Sequence, residues 1–195
     1  MSETSRRDLL RAIALSVTAG GLNLEAAQHV HRLVAQARTA SGYEPKALTQ
    51  HEYKTLERLA DLIVPADERG PGAASAGVCE FIDLLASQNP QLLAIYTGGI
   101  AWLDSAMRGR AATDFVSAKP EQQTALLDLI AYRKNKSAEL GPGIQFFDWA
   151  RKMVVDAYYT SPEGIKAIGY LGNTAVAKFE VPQEAIDYAI KRSPV

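Results

Sequence analysis

Thr49-Gln50-His51-Glu52-Tyr53-Lys54-Thr55-Leu56-Glu57-Arg58-Leu59-Ala60-Asp61-Leu62-Ile63-Val64-Pro65 is the stretch whose reading decides the fold. It opens with the T-x-x-E form of a capping box, in which a hydroxyl and a carboxylate satisfy N–H groups that a helix start leaves orphaned. Tyr53, Leu56, Leu59, Ala60 and Ile63 repeat at helical spacing, and Pro65 stops the run. The same period recurs downstream. Phe81, Ile82, Leu84 and Leu85 sit on a short helix, and Pro90 opens a longer one with Leu93, Tyr96, Ile100, Leu103 and Met107 on one stripe. Pro120 suits a first helical position, and its segment carries Leu126, Leu127, Leu129 and Ile130. Arg133, Lys134 and Lys136 cluster at the end of that segment, where their charge complements the helix terminus.

Residues 144–159 place Phe146, Ala150, Met153 and Ala157 on one stripe and Phe147, Val154 and Tyr158 on the next, so this helix is expected at the centre of the core. Ser161-Pro162-Glu163 caps a short turn, Gly169 to Asn173 reads as irregular, and Pro182 starts a last helix through Ile190. No period-two alternation persists anywhere. The expected fold is therefore all-α: a single compact domain over 45–195 with about six or seven helices and long irregular loops, preceded by an N-terminal signal helix within 1–40. Two irregularities stand out. Pro65 to Gly77 is long and rich in Pro and Gly, as functional or interface loops often are, and Gly98-Gly99 inside a helix points to a close approach by another group.

With 195 residues and 47% hydrophobic content, the chain can bury one ordinary core. A net charge of −1 and a pI near 6.3 argue against a nucleic-acid partner, because there is no excess of Lys and Arg to neutralise phosphates. Cys79 is the single cysteine, which excludes an intrachain disulfide and a cysteine-ligated iron–sulfur cluster held by this chain alone. It reads as a small buried hydrophobe, with a bridge to a partner as the alternative.

At the N-terminus, Ser5-Arg6-Arg7-Asp8-Leu9-Leu10-Arg11 precedes thirteen uncharged positions, 12 to 24. This resembles a twin-arginine export signal, with Ser5, Arg6, Arg7, Leu9, Leu10 and Arg11 matching its pattern; Leu9 replaces the usual Phe and Arg11 the usual Lys. The alternative is the solvated basic end of an ordinary helix. The uncharged run is short of the roughly 20 apolar residues that span a bilayer. No clean cleavage site follows, since Glu25-Ala26-Ala27-Gln28 fits poorly, so retention of the leader stays open. The resemblance implies a periplasmic protein exported folded, with membrane association open. From Leu24 to Thr39 the chain reads as a further helix, broken at Ser41 to Pro45.

Chemistry is sparse. His29 and His31 are two apart, diverge on a helix and cannot chelate one metal together; His51 reads as structural. Asp61, Asp67, Glu68, Glu80 and Asp83 surround the Pro-Gly loop but lack the alternation of a calcium loop, so they read as loop caps and solvated charge. Tyr158, Tyr159 and Tyr170, with Trp102 and Trp149, could stack a sugar or a flavin, although aromatics at helical spacing more often serve a core or a protein interface. No catalytic, cofactor or metal residues are assigned.

Several blocks then coincide. Leu48-Thr49, Glu52-Tyr53, Thr55-Leu56, Leu59 to Asp67, Pro71-Gly72-Ala73, Ala76-Gly77-Val78 and Glu80 to Asp83 resemble the N-terminal signature of the gluconate 2-dehydrogenase subunit 3 family. Tyr159 to Pro162, Gly164, Gly169-Tyr170, Gly172-Asn173, Pro182 and Glu184-Ala185 resemble its distal part, so the likeness spans roughly 45–190. It implies a small, non-catalytic subunit that escorts and stabilises a GMC-type flavoprotein large subunit of a periplasmic sugar or polyol dehydrogenase. FAD then belongs to the large subunit, a cytochrome c subunit with haem c accompanies some complexes, and the twin-arginine translocase is a further partner. Cys79 stands where the family commonly has proline, and Glu180-Val181 where Gly-Cys is frequent, which puts an inherited cysteine pairing in doubt. The expected docking surface comprises Pro65, Asp67, Pro71 and Gly72 with Tyr158, Tyr159, Ser161, Pro162, Tyr170 and Asn173. Two rival readings are a subunit lending residues to the sugar site and an independent helical binding module.

Overall fold

The computed structural model describes residues 6–38, 42–170 and 180–192. Ser5, Ser41 and Asn173, and the side chains of Arg6 and Arg7, lie outside the described residues. In chain order the elements are α1 (Arg6–Thr18), α2 (Leu24–Ala37), α3 (Gln50–Ile63), α4 (Val78–Ala86), α5 (Pro90–Ala111), α6 (Pro120–Ile130), a 3₁₀ turn (Arg133–Asn135), α7 (Gly141–Tyr159), α8 (Pro162–Ala167) and α9 (Gln183–Arg192). Helices α3 to α9 are the helices expected for the body, and the described residues form no β-strand. Helix α2 closes at Ala37, two residues before the expected Thr39.

The capping box forms as read. The Thr49 hydroxyl accepts from the Glu52 amide at 3.3 Å, and Glu52 Oε2 accepts from the Thr49 amide at 2.8 Å. The Val64 amide makes the last helical bond, to Ala60, before Pro65 ends donation. Helix α5 differs slightly: its buried stripe starts at Leu92 rather than Leu93 and continues through Tyr96, Ile100, Leu103 and Met107. The phase is set by Asn89, whose side chain accepts from the amides of Gln91 and Leu92 and fixes the first turn. Leu129 is exposed, so α6 buries Leu126, Leu127 and Ile130 around it. Beyond α6 the Arg133 guanidinium pairs with Asp148 of α7 at 2.8 Å rather than simply facing the helix end.

The centre of the core is α4, not α7 alone. All nine residues of α4 are buried, including Glu80 and Asp83, and the helix touches α1, α2, α3, α5 and α7. Short length hides this in the sequence, because a single nine-residue helix shows too few turns for its circumference to be judged. Helices α5 and α7 pack most extensively on each other, and there the paired glycines separate in role. A Cβ on Gly99 would lie 2.0 Å from the Phe146 ring, itself edge-on to Tyr96 at 6.0 Å, whereas a Cβ on Gly98 meets nothing within 4 Å. Gly99→Ala is therefore expected to destabilise by about 2–3 kcal/mol, through displacement of Phe146. Gly98→Ala is expected to be neutral or to stabilise by up to about 1 kcal/mol through helix propensity. Urea unfolding of the two variants checks this opposition of neighbours.

Candidate partner interface

The Pro65–Gly77 loop is held by its acids. Asp61 Oδ1 accepts from the Ala74 amide at 2.9 Å, and Asp67 Oδ1 accepts from the amides of Arg69 and Gly70 at 2.9 and 3.1 Å. Gly72 is buried, and a Cβ there would sit 2.7 Å from Asp61 Oδ1, so glycine is needed for the loop to cross that carboxylate. Glu80 Oε1 accepts from Arg38 Nε at 2.7 Å, and Asp83 is committed to the 43–48 segment, described below. Among the described residues no group of three His, Cys, Asp or Glu could hold a metal ion. Asp61 and Asp67 serve as loop caps, and Glu80 and Asp83 as partners of other segments.

The structure brings the two separated blocks together. The Tyr158 hydroxyl of α7 donates to the Pro71 carbonyl at 2.9 Å, and a Cβ on Gly70 would meet that hydroxyl at 2.9 Å and the Ala167 Cβ at 3.0 Å. Ser161 Oγ donates to the Tyr158 carbonyl at 2.7 Å and accepts from the Gly164 amide at 3.0 Å, which turns the chain from α7 into α8. A Cβ on Gly164 would fall 2.0 Å from the Tyr158 carbonyl, so this turn requires glycine.

The expected docking residues divide accordingly. Gly72, Tyr158 and Ser161 are buried and build the platform, and Pro71 is half-buried. Pro65, Asp67, Pro162, Tyr159 (41% exposed) and Tyr170 (49% exposed) present themselves at the surface, with Ile168 beside them. Tyr159 stands edge-on to Tyr158, ring centroids 5.1 Å apart, so an exposed aromatic is braced by a buried one.

The surface also carries two apolar grooves, only one of which borders this area. One, of about 380 Å³, runs between α2 and α8 and is lined by His31, Arg32, Ala35, Thr160, Pro162 and Ile165. His31 crosses the fold to Thr160, Nε2 to Oγ1 at 3.1 Å, rather than bonding locally, and burial lowers its pKa. The other groove, of about 370 Å³, lies between α5 and α7, where Gly98, Trp102, Gln145 and Trp149 meet; none of its lining residues can ionise. Trp102 and Trp149 are thus remote from the tyrosines in element, and no single aromatic box forms. Gly143 leaves room for the Trp102 ring, which lies 2.3 Å from where its Cβ would be.

His51 Nε2 pairs with Asp104 Oδ2 at 2.7 Å, a structural tie between α3 and α5. Cys79 is fully buried and burial raises its pKa, so it behaves as the expected small hydrophobe. Sequence reasoning placed a last helix where α9 lies but left it out of the docking surface. None of its residues is buried: Ile186 and Ile190 lie four apart on one side with Ala185 and Ala189, and Glu184, Asp187 and Lys191 supply the charge. The signal was available, since this spacing is that of an amphipathic helix, but the pattern alone does not say whether the body covers it. Among the described residues no helix is long and apolar enough to cross a membrane.

Compared with known proteins, residues 50–177 match the family described as Gluconate 2-dehydrogenase subunit 3. That span starts with α3 and takes in α8, but stops short of α9 and excludes α1 and α2. No curated protein and no solved structure matches the chain.

Proposed function

The chain belongs to the gluconate 2-dehydrogenase subunit 3 family, and from that membership we propose that it is the non-catalytic small subunit of a periplasmic FAD-dependent sugar or polyol dehydrogenase. Family membership makes it an accessory subunit of a dehydrogenase complex. Beyond that, its partner is a GMC-type flavoprotein that carries the FAD, joined in some assemblies by a cytochrome c subunit. The small subunit escorts the folded flavoprotein through twin-arginine export and stabilises it.

The observation that carries this reading is the surface built by the Tyr158 to Pro71 bond. It joins the loop to the end of α7, next to the turn into α8, and Pro65, Tyr159, Pro162, Ile168 and Tyr170 are exposed on these segments. Exposed tyrosines and apolar side chains on a braced support suit a protein partner, because they bury much area at little cost in side-chain entropy. Helix α9 adds an apolar face that its own body leaves uncovered.

A tagged full-length chain expressed with its flavoprotein should therefore recover a large polypeptide and flavin absorbance. Tyr159→Ala combined with Ile190→Asp, both at exposed positions, should cut that recovery by about tenfold or more without shifting the melting temperature of the small subunit. A chain that reaches the periplasm and purifies alone would overturn the reading. The rival, in which this chain lends residues to the sugar site, draws on the Trp102 and Trp149 groove. It is separated by turnover of the large subunit with and without the small one. A substrate-specific change favours the rival, and altered yield or heat resistance alone favours the escort.

A further inference from the structure

Helix α1 has a built seat on the body. Leu10, Ile13, Ala14 and Val17, spaced i, i+3, i+4 and i+7, are all buried, while Leu9, Arg11 and Leu15 face outward. The seat is polar as well as apolar. Asn89, itself buried, donates Nδ2 to the Ala14 carbonyl at 2.8 Å and to Thr18 Oγ1 at 3.1 Å. Its other end, Oδ1, accepts from the Gln91 and Leu92 amides and caps α5. One buried amide thus ties the end of α1 to the start of α5, across 75 residues of chain.

We propose that α1 is a releasable latch, docked on α4 and Asn89 in the resting protein, and that export requires it to leave this seat. The proposal rests on the export reading above. Full engagement of the helix by a translocase or membrane surface needs the apolar face of Leu10, Ile13, Ala14 and Val17, which docking hides. The docked state therefore weakens engagement by the fraction of chains in which α1 is released. The leader sequence then sets the address, and the body sets how often it can be read.

Asn89→Asp tests this in the full-length chain without altering the leader. The carboxylate keeps the acceptor that caps α5 but turns an oxygen, in place of the amide donor, toward the Ala14 carbonyl. Amide hydrogen exchange across Ile13 to Val17 should be protected in the wild type and speed up by about tenfold or more in Asn89→Asp, with α3 and α7 unchanged. Delivery to the periplasm should then be faster by about twofold or more. Thr18→Val removes only the second bond and should show a smaller change in the same direction, which decides the matter if Asn89→Asp loosens every helix. Unprotected α1 amides in the wild type, or exchange unaltered by either variant, would overturn the latch. So would released α1 with unchanged or slower delivery. Absence of delivery in wild type and variant alike, with exchange behaving as stated, would instead bring down the export reading and the gating role together, leaving docking as a structural fact.

Discussion

Replacing Arg6 and Arg7 together with lysine is expected to reduce periplasmic dehydrogenase activity by about tenfold or more, with the missing activity recovered from the cytoplasm. Arginine presents a planar fork of donors that lysine cannot reproduce, although the charge is kept. If one export label moves both subunits, a fault in the label strands the partner, which is why the flavoprotein's activity is the quantity to measure. Deletion of the leader makes the same point less cleanly. It strips Leu10, Ile13, Ala14 and Val17 from the core and leaves Asn89 without two acceptors, so lost activity would mix failed export with a damaged fold. The lysine pair leaves those contacts in place. Periplasmic activity unchanged by the double substitution would count decisively against the escort role.

Asp83→Ala is expected to lower the unfolding free energy by about 3 kcal/mol, the scale of losing several hydrogen bonds to one ionised acceptor. The carboxylate is fully buried on α4 and accepts from the Tyr43 hydroxyl at 2.7 Å and from the amides of Lys46, Ala47 and Leu48 at 2.6, 3.0 and 2.9 Å. Those three amides belong to a segment with no helical bonds of its own, so the side chain performs for residues 46–48 what a secondary-structure ladder performs elsewhere. Alanine leaves the buried Leu48 amide unpaired, and water can reach the half-buried Tyr43 and Ala47 donors and the exposed Lys46, which recovers part of the cost. Tyr43→Phe removes one donor and its acceptor stays well served, so its cost is about 1 kcal/mol. The two losses should not add, because both act on one network. Urea unfolding followed by circular dichroism gives the values, and an Asp83→Ala protein within about 1 kcal/mol of wild type would contradict this account.

Where information was local, the sequence could be read directly. The capping box at Thr49 and Glu52, the stop at Pro65 and the Ser161 cap need only neighbours within one turn, and each forms. The Pro-Gly loop acids are legible for the same reason, since Asp67 caps residues two and three ahead. Other features depend on what packs against them. Gly98 and Gly99 look alike in the chain, yet only Gly99 faces Phe146. Tyr158 carried two readings, as part of an apolar stripe and as a docking residue, and the stripe prevails because the next turn of chain folds over it. Helix α9 repeats the period of a core helix but is left uncovered, because burial belongs to the assembly and not to the pattern. The seat of α1 was illegible, since its key contact comes from Asn89, far along the chain.

The sealed position of Cys79 has a practical consequence. Its sulfur is enclosed on α4 and its ionisation is disfavoured by burial, so thiol reagents find no nucleophile on the native surface. A cysteine introduced at Tyr159 or Ile190, where the side chain is open to solvent, would be the one reactive attachment point. Spin labels, fluorophores or an electrode tether could then be placed on the proposed partner surface without first engineering away a native group.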